Sequence, residues 1–534
     1  MPTFQRAFDY INRLAEQTMR AGAIPGMTLA VTNRERTLKV FAYGLSDVAS
    51  GTPVTPETVF ETGSLGKPLT VIPLLQLREA GELDLTAPVS RYLPWFEVQS
   101  SHAPITVHHL LNHTSGLIRG TDVAPHGLYE SWALRELRTN CAPGEYFWYS
   151  NLGYKTLGFL LERLCGASLP EVIQSRVLEP LAMNRTYPAI RLGMQGKTAT
   201  GYTSVYDDRP EHRSHPITPA IWAEAATGDG AQASTAGDMA AYLRLLLNRG
   251  LGPNGRLISE ESFELMSGHG VWTGGDFYGY GLATYDVDGR TYVGHGGGSA
   301  GFRAALVVDM LAGLGVVLLV NRWGDTEPLV EVAQEALTAV RHDMARLEMP
   351  PLPAGDPTIV KNAADYTGTF RSAGRLIDLE ARRRKLVMRY KGKSITLENR
   401  APDSFYVAHQ DFEMAWLDFV RQRGRVVEAF YAGEWFTKRT LRRFRYPKAW
   451  DAYVGHYRAR NPEISNFRIA VRKNTLVLLN PWGNTEPLVP QEAGVFRVGA
   501  DPRSPETLRF SAIADGQALR VDYSGCPYYR TFAP

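Results

Sequence analysis

Thr62-Gly63-Ser64-Leu65-Gly66-Lys67-Pro68-Leu69-Thr70 is the stretch on which the reading of this chain turns. It opens a helix, and Ser64 and Lys67 stand three residues apart, so both face one side of the first turn. A serine hydroxyl is a weak nucleophile until a neighbour takes its proton, and an ammonium one turn away also lowers the cost of nearby anions. No other Ser-x-x-Lys occurs in the chain. Alone, the pattern also fits a helix-capping serine and a solvated lysine.

Two further elements carry chemistry. Ala142-Pro143-Gly144-Glu145-Tyr146-Phe147-Trp148-Tyr149-Ser150-Asn151 is a turn-rich loop running into an apolar helix, Leu157 to Leu164. Tyr149 and Asn151 alternate as on a short extended segment, which points both the same way. A phenol beside cations can act as a general base, and a carboxamide can hold a substrate amide. By itself Tyr149 reads as a packing aromatic with a satisfied hydroxyl. The third element, Gly294-His295-Gly296-Gly297-Gly298-Ser299-Ala300-Gly301, lies between two strand patterns. Glycine this dense on a strand edge suits close approach of backbone to a ligand, with N–H groups offered to an oxyanion. His295 adds a titratable group, though in isolation the run also reads as a turn with an incidental histidine.

Taken together, Ser64-x-x-Lys67, Tyr149-x-Asn151 and His295-x-Gly297 resemble the serine β-lactamase and penicillin-recognising superfamily, and within it the class C-like branch of D-aminopeptidases and family VIII-type esterases. The likeness extends through Val107-His108-His109-Leu110-Leu111-Asn112-His113-Thr114-Ser115-Gly116-Leu117 and covers residues 1 to 345. The resemblance implies that Ser64 attacks a carbonyl while Lys67 and Tyr149 share the taking of its proton. It implies that Asn151 orients the acyl chain and that the N–H groups of Ser64 and Gly298, beside Gly297, form the oxyanion hole. The third motif departs from the pattern, because His295-Gly296-Gly297 stands where class C β-lactamases carry Lys-Thr-Gly. An unperturbed imidazole titrates near about 6.5, so a second cation beside Tyr149 becomes conditional on pH. Losing the lysine and threonine also removes anchors for a β-lactam carboxylate, which favours a peptidase or esterase.

Outward from these motifs, Phe4, Phe8, Ile11, Leu14 and Met19 space an amphipathic first helix, and Gly26 to Val31 with Leu38 to Tyr43 reads as a hairpin. A helix-rich stretch runs from Ser64 to Leu181. Thr291 to Gly294, Phe302 to Val308 and Leu314 to Leu319 read as strands, and Pro328 to Arg341 as a helix. Met349-Pro350-Pro351-Leu352-Pro353 opens a stiff linker. Beyond it, Tyr366-Thr367-Gly368-Thr369-Phe370-Arg371 returns about 90 residues later as Tyr453-Val454-Gly455-His456-Tyr457-Arg458, and Tyr431-Ala432-Gly433 returns as Tyr523-Ser524-Gly525. Duplicated barrels of about eight strands each fit these segments, and the resemblance implies a lipocalin-like form. The expected fold is α+β: a β-lactamase-like domain at 1–348, a linker at 349–364, and antiparallel β-barrels at 365–447 and 448–534.

The 534 residues carry 58 Lys and Arg against 55 Asp and Glu, a net +3 that leaves no electrostatic footprint for nucleic acid. Composition is 44% hydrophobic and 21% charged, ordinary for a folded protein. Three separated cysteines form neither a disulfide framework nor a metal set. The first residues read as a helix and not as a signal peptide, and the longest apolar run, Leu314 to Val320, is too short to span a bilayer. The expectation is a cytoplasmic protein with no membrane or nucleic-acid partner, acting on a small-molecule or peptide substrate, with a homo-oligomer left open.

Gly297-Gly298-Ser299-Ala300-Gly301 also fits a nucleophile elbow, but that motif needs a following helix and Phe302 to Val308 reads as a strand. His108, His109 and His113 lack the glutamate of a zincin helix and are expected to cap or pack, so no metal and no cofactor is expected. The expected function is a serine hydrolase working through an acyl-enzyme on amides or esters, D-aminopeptidase-like. The alternatives are a carboxylesterase or weak β-lactamase of the same fold, or a non-catalytic penicillin-binding or ligand-sensing protein.

Overall fold

Val, Leu and Ala dominate Phe302–Asp309 and Leu314–Val320, and these strands form the middle of a nine-stranded antiparallel sheet. The structure, a computed structural model, describes residues 4–120, 127–324, 327–353, 355–461 and 464–531. The helices used below are α1 (Gln5–Gly22), α2 (Lys67–Glu79), α3 (Asn151–Cys165), α4 (Ala236–Leu247) and α5 (Glu327–Met344). The strands are β1 (Gly26–Asn33), β2 (Thr37–Asp47), β3 (Phe60–Glu61), β4 (Ala233–Ser234), β5 (Arg290–Ser299), β6 (Phe302–Asp309) and β7 (Leu314–Val320). The chain divides into two compact units, one of residues 1–205 and 216–352, the other of residues 206–215 and 353–534.

In the first unit the sheet runs β5-β6-β7-β1-β2, extended beyond β5 by Ala283–Val287, Phe277–Tyr278 and Val271–Trp272 and beyond β2 by Thr52–Pro53. Both faces are covered, which explains why β6 and β7 are apolar throughout instead of alternating. Ala304, Leu306, Val308, Val317 and Leu319 enter a core shared with α2, α3 and α4. Ala305, Val307, Val316 and Leu318 point the other way, onto Phe8, Ile11 and Leu14 of α1 and Ala333, Ala336 and Val340 of α5. The expected hairpin is β1 with β2, paired from Gly26–Gly44 to Thr32–Thr37. One expectation shifts: the strand read as Thr291 to Gly294 continues through the glycines to Ser299, because β6 pairs with it as far as Ser299 with Phe302. Backbone pairing overrides the weak strand propensity of Gly296, Gly297 and Gly298.

The second unit holds two antiparallel barrels. Strands from Gly455–Arg458 to Cys526–Arg530 close an eight-stranded barrel. The other sheet has nine strands instead of about eight, and its edges, Lys393–Thr396 and Glu398–Ala401, are separated only by Leu397. Leu397 N–H continues the ladder to Leu386, so one bent strand serves both edges and makes the barrel nearly closed. The duplicated segments occupy matching places. Tyr366 and Tyr453 each follow or end a 3-10 turn before the first barrel strand, and Ala432-Gly433 and Ser524-Gly525 turn the last hairpins. Residues 206–215 belong to this unit, where the His212 ring stacks on Tyr406 at 4.3 Å and Asn466 donates to the Asp207 carbonyl at 2.8 Å.

Candidate active site

Ser64 lies in a 3-10 turn, Gly63–Gly66, that hands directly over to α2. Gly63 is left-handed, with φ of 53°. Thr62 anchors the approach, its N–H and hydroxyl both donating to the Gln232 carbonyl at 2.9 Å. Lys67 is the first residue of α2 and is fully buried. A lysine is buried only where its hydrogens find acceptors. Here Nζ donates to Ser64 Oγ at 2.9 Å, Asn151 Oδ1 at 2.7 Å and the Asp229 carbonyl at 2.6 Å. Those are the three hydrogens of an ammonium, so in this geometry Lys67 holds the serine hydroxyl by donation. It takes a proton from Ser64 only after giving up one of its own.

Tyr149 and Asn151 do not share an extended segment. Asn151 is the first residue of α3, and Ser150 caps the helix, accepting from Gly153 N–H at 3.0 Å and donating to Ile118 O at 2.6 Å. The capping serine was concealed between the two motif residues. Its helix start swings Asn151 toward Lys67, while the Tyr149 ring centroid lies 4.8 Å from Nζ. The Arg119 guanidinium is 5.9 Å from the same ring, and its carbonyl accepts from Asn151 N–H at 2.8 Å.

His295 sits on β5 with its ring 6.1 Å from that of Tyr149. In the neutral tautomer its Nδ1–H donates to the Gly296 carbonyl and Nε2 accepts from the Tyr278 hydroxyl at 3.0 Å. Desolvation, and then the charge of Lys67, push its pKa down to about 4 against that Gly296 bond. A conditional second cation is thus replaced by an imidazole that is neutral at pH 7. His113, left-handed at φ 59° and fully buried, packs its ring tilted against Tyr149 with centroids 4.3 Å apart and accepts the Ser150 N–H on Nδ1 at 3.0 Å. Burial, reinforced by Lys67 and His295, holds it neutral as well.

The strand β5 crosses immediately behind the nucleophile. A Cβ at Gly297 would stand 2.1 Å from the Thr62 carbonyl, and one at Gly63 would stand 2.3 Å from the Gly298 carbonyl. The glycines therefore permit a close backbone approach of Gly63, the residue before Ser64, to Gly298. Ser299 donates to Glu61 Oε2, and burial pushes the Glu61 carboxyl up to about 7 against that bond. Since β6 follows Ser299, no elbow helix exists there.

Several contributors left little trace in the sequence. Asp229 acts through its carbonyl, and any residue supplies one. Tyr278 lies in the Trp272 to Tyr280 stretch and turns its phenol to His295, whereas Trp272 is 55% exposed. The histidines near the start of the motif are occupied as caps and packing groups. His109 closes a capping box with Thr106, and His108 meets the Tyr280 hydroxyl at 2.6 Å and the Asn112 amide at 3.1 Å. Among the described residues no group of His, Cys, Asp and Glu is arranged to hold a metal ion, and no helix is long and apolar enough to cross a membrane.

Comparison with known proteins places this geometry in context. The family profile described as Beta-lactamase matches residues 11–341. Penicillin-binding protein 4 of Amycolatopsis lactamdurans is 29% identical over 377 residues, spanning 66% of this chain and 94% of that protein. Esterase EstB of Burkholderia gladioli is 32% identical over 196 residues, 32% of this chain and 49% of the esterase. Among solved structures, the octameric penicillin-binding protein homologue from Pyrococcus abyssi superposes with a TM-score of 0.58 at 23% identity, covering 81% of this chain and all of that one. A class C beta-lactamase superposes with a TM-score of 0.54 at 21% identity, covering 62% of this chain and 95% of its own.

Proposed function

Because this chain belongs to the beta-lactamase family of serine hydrolases, we propose that it cleaves amides or esters through an acyl-enzyme on Ser64, with small peptides or amino-acid amides as the first substrate class. The observation that carries this reading is the three-way bond of Lys67 Nζ to Ser64, Asn151 and the Asp229 carbonyl. Ser64 Oγ attacks the substrate carbonyl carbon as its proton passes to Lys67, once neutral, or to Tyr149, once its phenol has given up its own proton. The oxygen of the tetrahedral species takes the negative charge between the N–H groups of Ser64 and Gly298, where losing a donor costs roughly 3–4 kcal/mol. Collapse breaks the bond to the leaving amine or alcohol, which departs with a proton from Tyr149 or Lys67. Asn151 orients the acyl chain, and water then attacks the ester to regenerate Ser64. His295, held neutral by its surroundings, orients Tyr278 and the adjoining cleft wall and carries no charge to the substrate.

The absence of a lysine and threonine at His295-Gly296 supports a D-aminopeptidase-like or esterase activity over β-lactam hydrolysis. The likeness to an esterase supports the ester alternative. In this reading the hydrolase occupies 1–348, the linker 349–364 and the barrels 365–447 and 448–534. A cytoplasmic setting is supported by cysteine usage, since three cysteines far apart in the sequence offer no disulfide framework. The octameric state of the archaeal homologue supports a homo-oligomer, which light scattering tests.

The deciding experiment is intact mass after a fluorophosphonate probe, on wild type and Ser64→Ala, followed by p-nitrophenyl esters, D- and L-amino acid anilides and nitrocefin. Labelling of wild type alone supports Ser64, and the substrate panel then ranks the activities. An unlabelled wild type favours a non-catalytic binding protein.

A further inference from the structure

The segment that delivers the nucleophile and the strand behind it touch through their backbones, Thr62 against Gly297 and Gly63 against Gly298. At the centre the two backbones are closer than any side chain allows. Backbone contact of this kind excludes side chains but does not lock one strand against sliding along the other. The lock stands at the end of the contact. Glu61, on β3, is 6% exposed, and its carboxylate accepts the hydroxyl of Ser299 on β5. The backbone of Glu61 is itself held, since β3 pairs with β4 through Glu61 with Ala233. Ser299 is held from the other side by its pairing with Phe302. The bond therefore joins two fixed backbones, one residue beyond Gly298 and three before Ser64.

We propose that Glu61 and Ser299 are positioning residues that set the separation of the two oxyanion N–H groups, clamping β5 to the segment that carries Ser64. The inference rests on the acyl-enzyme reading above. It also accounts for the Gly-x-Ser-x-Gly pattern, whose serine acts through a carboxylate and not as a nucleophile. Burying a carboxylate with a single hydroxyl donor is unfavourable in isolation, so the pair is a poor choice for stability alone. Its use lies in direction, because a hydrogen bond fixes an angle and a distance that apolar packing does not.

The test uses the full chain and compares wild type with Ser64→Ala, Ser299→Ala, Ser299→Thr, Glu61→Ala and Glu61→Gln, by fluorophosphonate labelling rate and by kcat and KM on a p-nitrophenyl ester. Glutamine at 61 keeps an acceptor oxygen and threonine at 299 keeps the hydroxyl. Glu61→Ala and Ser299→Ala are expected to lower kcat about 10- to 100-fold with KM within about threefold, as for a displacement of an ångström or less at an oxyanion site. Glu61→Gln and Ser299→Thr are expected to recover kcat to within about fivefold of wild type, and a further variant combining Glu61→Ala with Ser299→Ala is expected to fall no further than either single one. Wild-type kcat in both alanine variants overturns the clamp, while silence of Ser64→Ala leaves the acyl-enzyme reading standing. A raised KM at unchanged kcat also overturns it, by making the pair a substrate contact. Labelling that survives in Ser64→Ala and vanishes in Ser299→Ala overturns both readings. If Glu61→Ala fails to fold, the Ser299 pair of variants decides.

Discussion

Adding one methyl group at Gly297 tests the oxyanion geometry directly. In Gly297→Ala the new carbon starts 2.1 Å from the Thr62 carbonyl, where ordinary contact begins at 3.4 Å, with Leu65 and Ala304 at 3.1 and 3.3 Å on other sides. Thr62 cannot yield easily, because its N–H and hydroxyl are both tied to Gln232. β5 must therefore retreat by about 1 Å, carrying the Gly298 N–H away from Ser64, and a misplacement of that size lowers rates about 100-fold. Loss of one oxyanion donor lowers kcat about 100- to 1,000-fold, so kcat is expected to fall by at least about 100-fold with KM little changed. Overpacking is expected to cost about 1–3 kcal/mol of stability, leaving a folded protein. Gly275→Ala, where nothing lies within 4 Å of the added carbon, is the control expected to match wild type. The assay is burst and steady-state release of p-nitrophenol, with a thermal melt of each variant. A Gly297→Ala protein with wild-type kcat refutes the placement of the oxyanion hole beside Gly297 and Gly298.

Lys67→Met removes the bonds to Ser64, Asn151 and the Asp229 carbonyl together, and labelling by the fluorophosphonate is expected to slow about 10²- to 10⁴-fold, the range for losing a general base. Glu61, with a folded pKa raised from 4.5 to about 7, binds its proton more tightly folded than unfolded; stability is full below 4.5, falls as pH rises through 7, and the loss is on the order of 3 kcal/mol. Denaturation at pH 5 and pH 8 is expected to show this loss in wild type and not in Glu61→Gln, and equal slopes would count against it. His295, with its pKa lowered from 6.5 to about 4, is neutral across pH 5 to 8, and its contribution to stability is complete above 6.5 and lost as pH falls through 4. His295→Asn is expected to rescale kcat/KM without changing the shape of its pH profile between 5 and 8; an inflection near 6.5 present only in wild type contradicts the neutral imidazole. Leu319→Ala, at a fully buried site between β6 and β1, is expected to destabilise the first unit by about 2–5 kcal/mol in a denaturant melt.

The elements that were legible in the sequence are those whose signal is local. The spacing of Phe8, Ile11 and Leu14 announces α1, and the unbroken apolar run at Leu314 to Val320 announces a strand buried on both faces. The repeated Tyr-x-Gly segments announce two barrels, because the same turn chemistry recurs at matching strand ends. Ser64, Lys67, Tyr149, Asn151 and the His295 glycine run were visible as residue types in order. What they do to one another was not, since their roles depend on distances across more than 200 residues of chain. Only the folded backbone puts a carbonyl, that of Asp229, on the third hydrogen of Lys67, and a carbonyl has no side-chain signature. Only the capping by Ser150 turns Asn151 onto a helix, overriding the alternation expected of an extended loop. The charge of His295 was likewise decided by tertiary structure. An imidazole in water titrates near about 6.5, and it is the desolvated cleft and then the neighbouring lysine that make it neutral here. Sequence thus determined which chemical groups the chain carries and which local elements present them, because propensity and periodicity act over a few residues. Tertiary structure decided protonation, hydrogen-bond direction and backbone approach, because those follow from desolvation and close packing between segments remote in the chain.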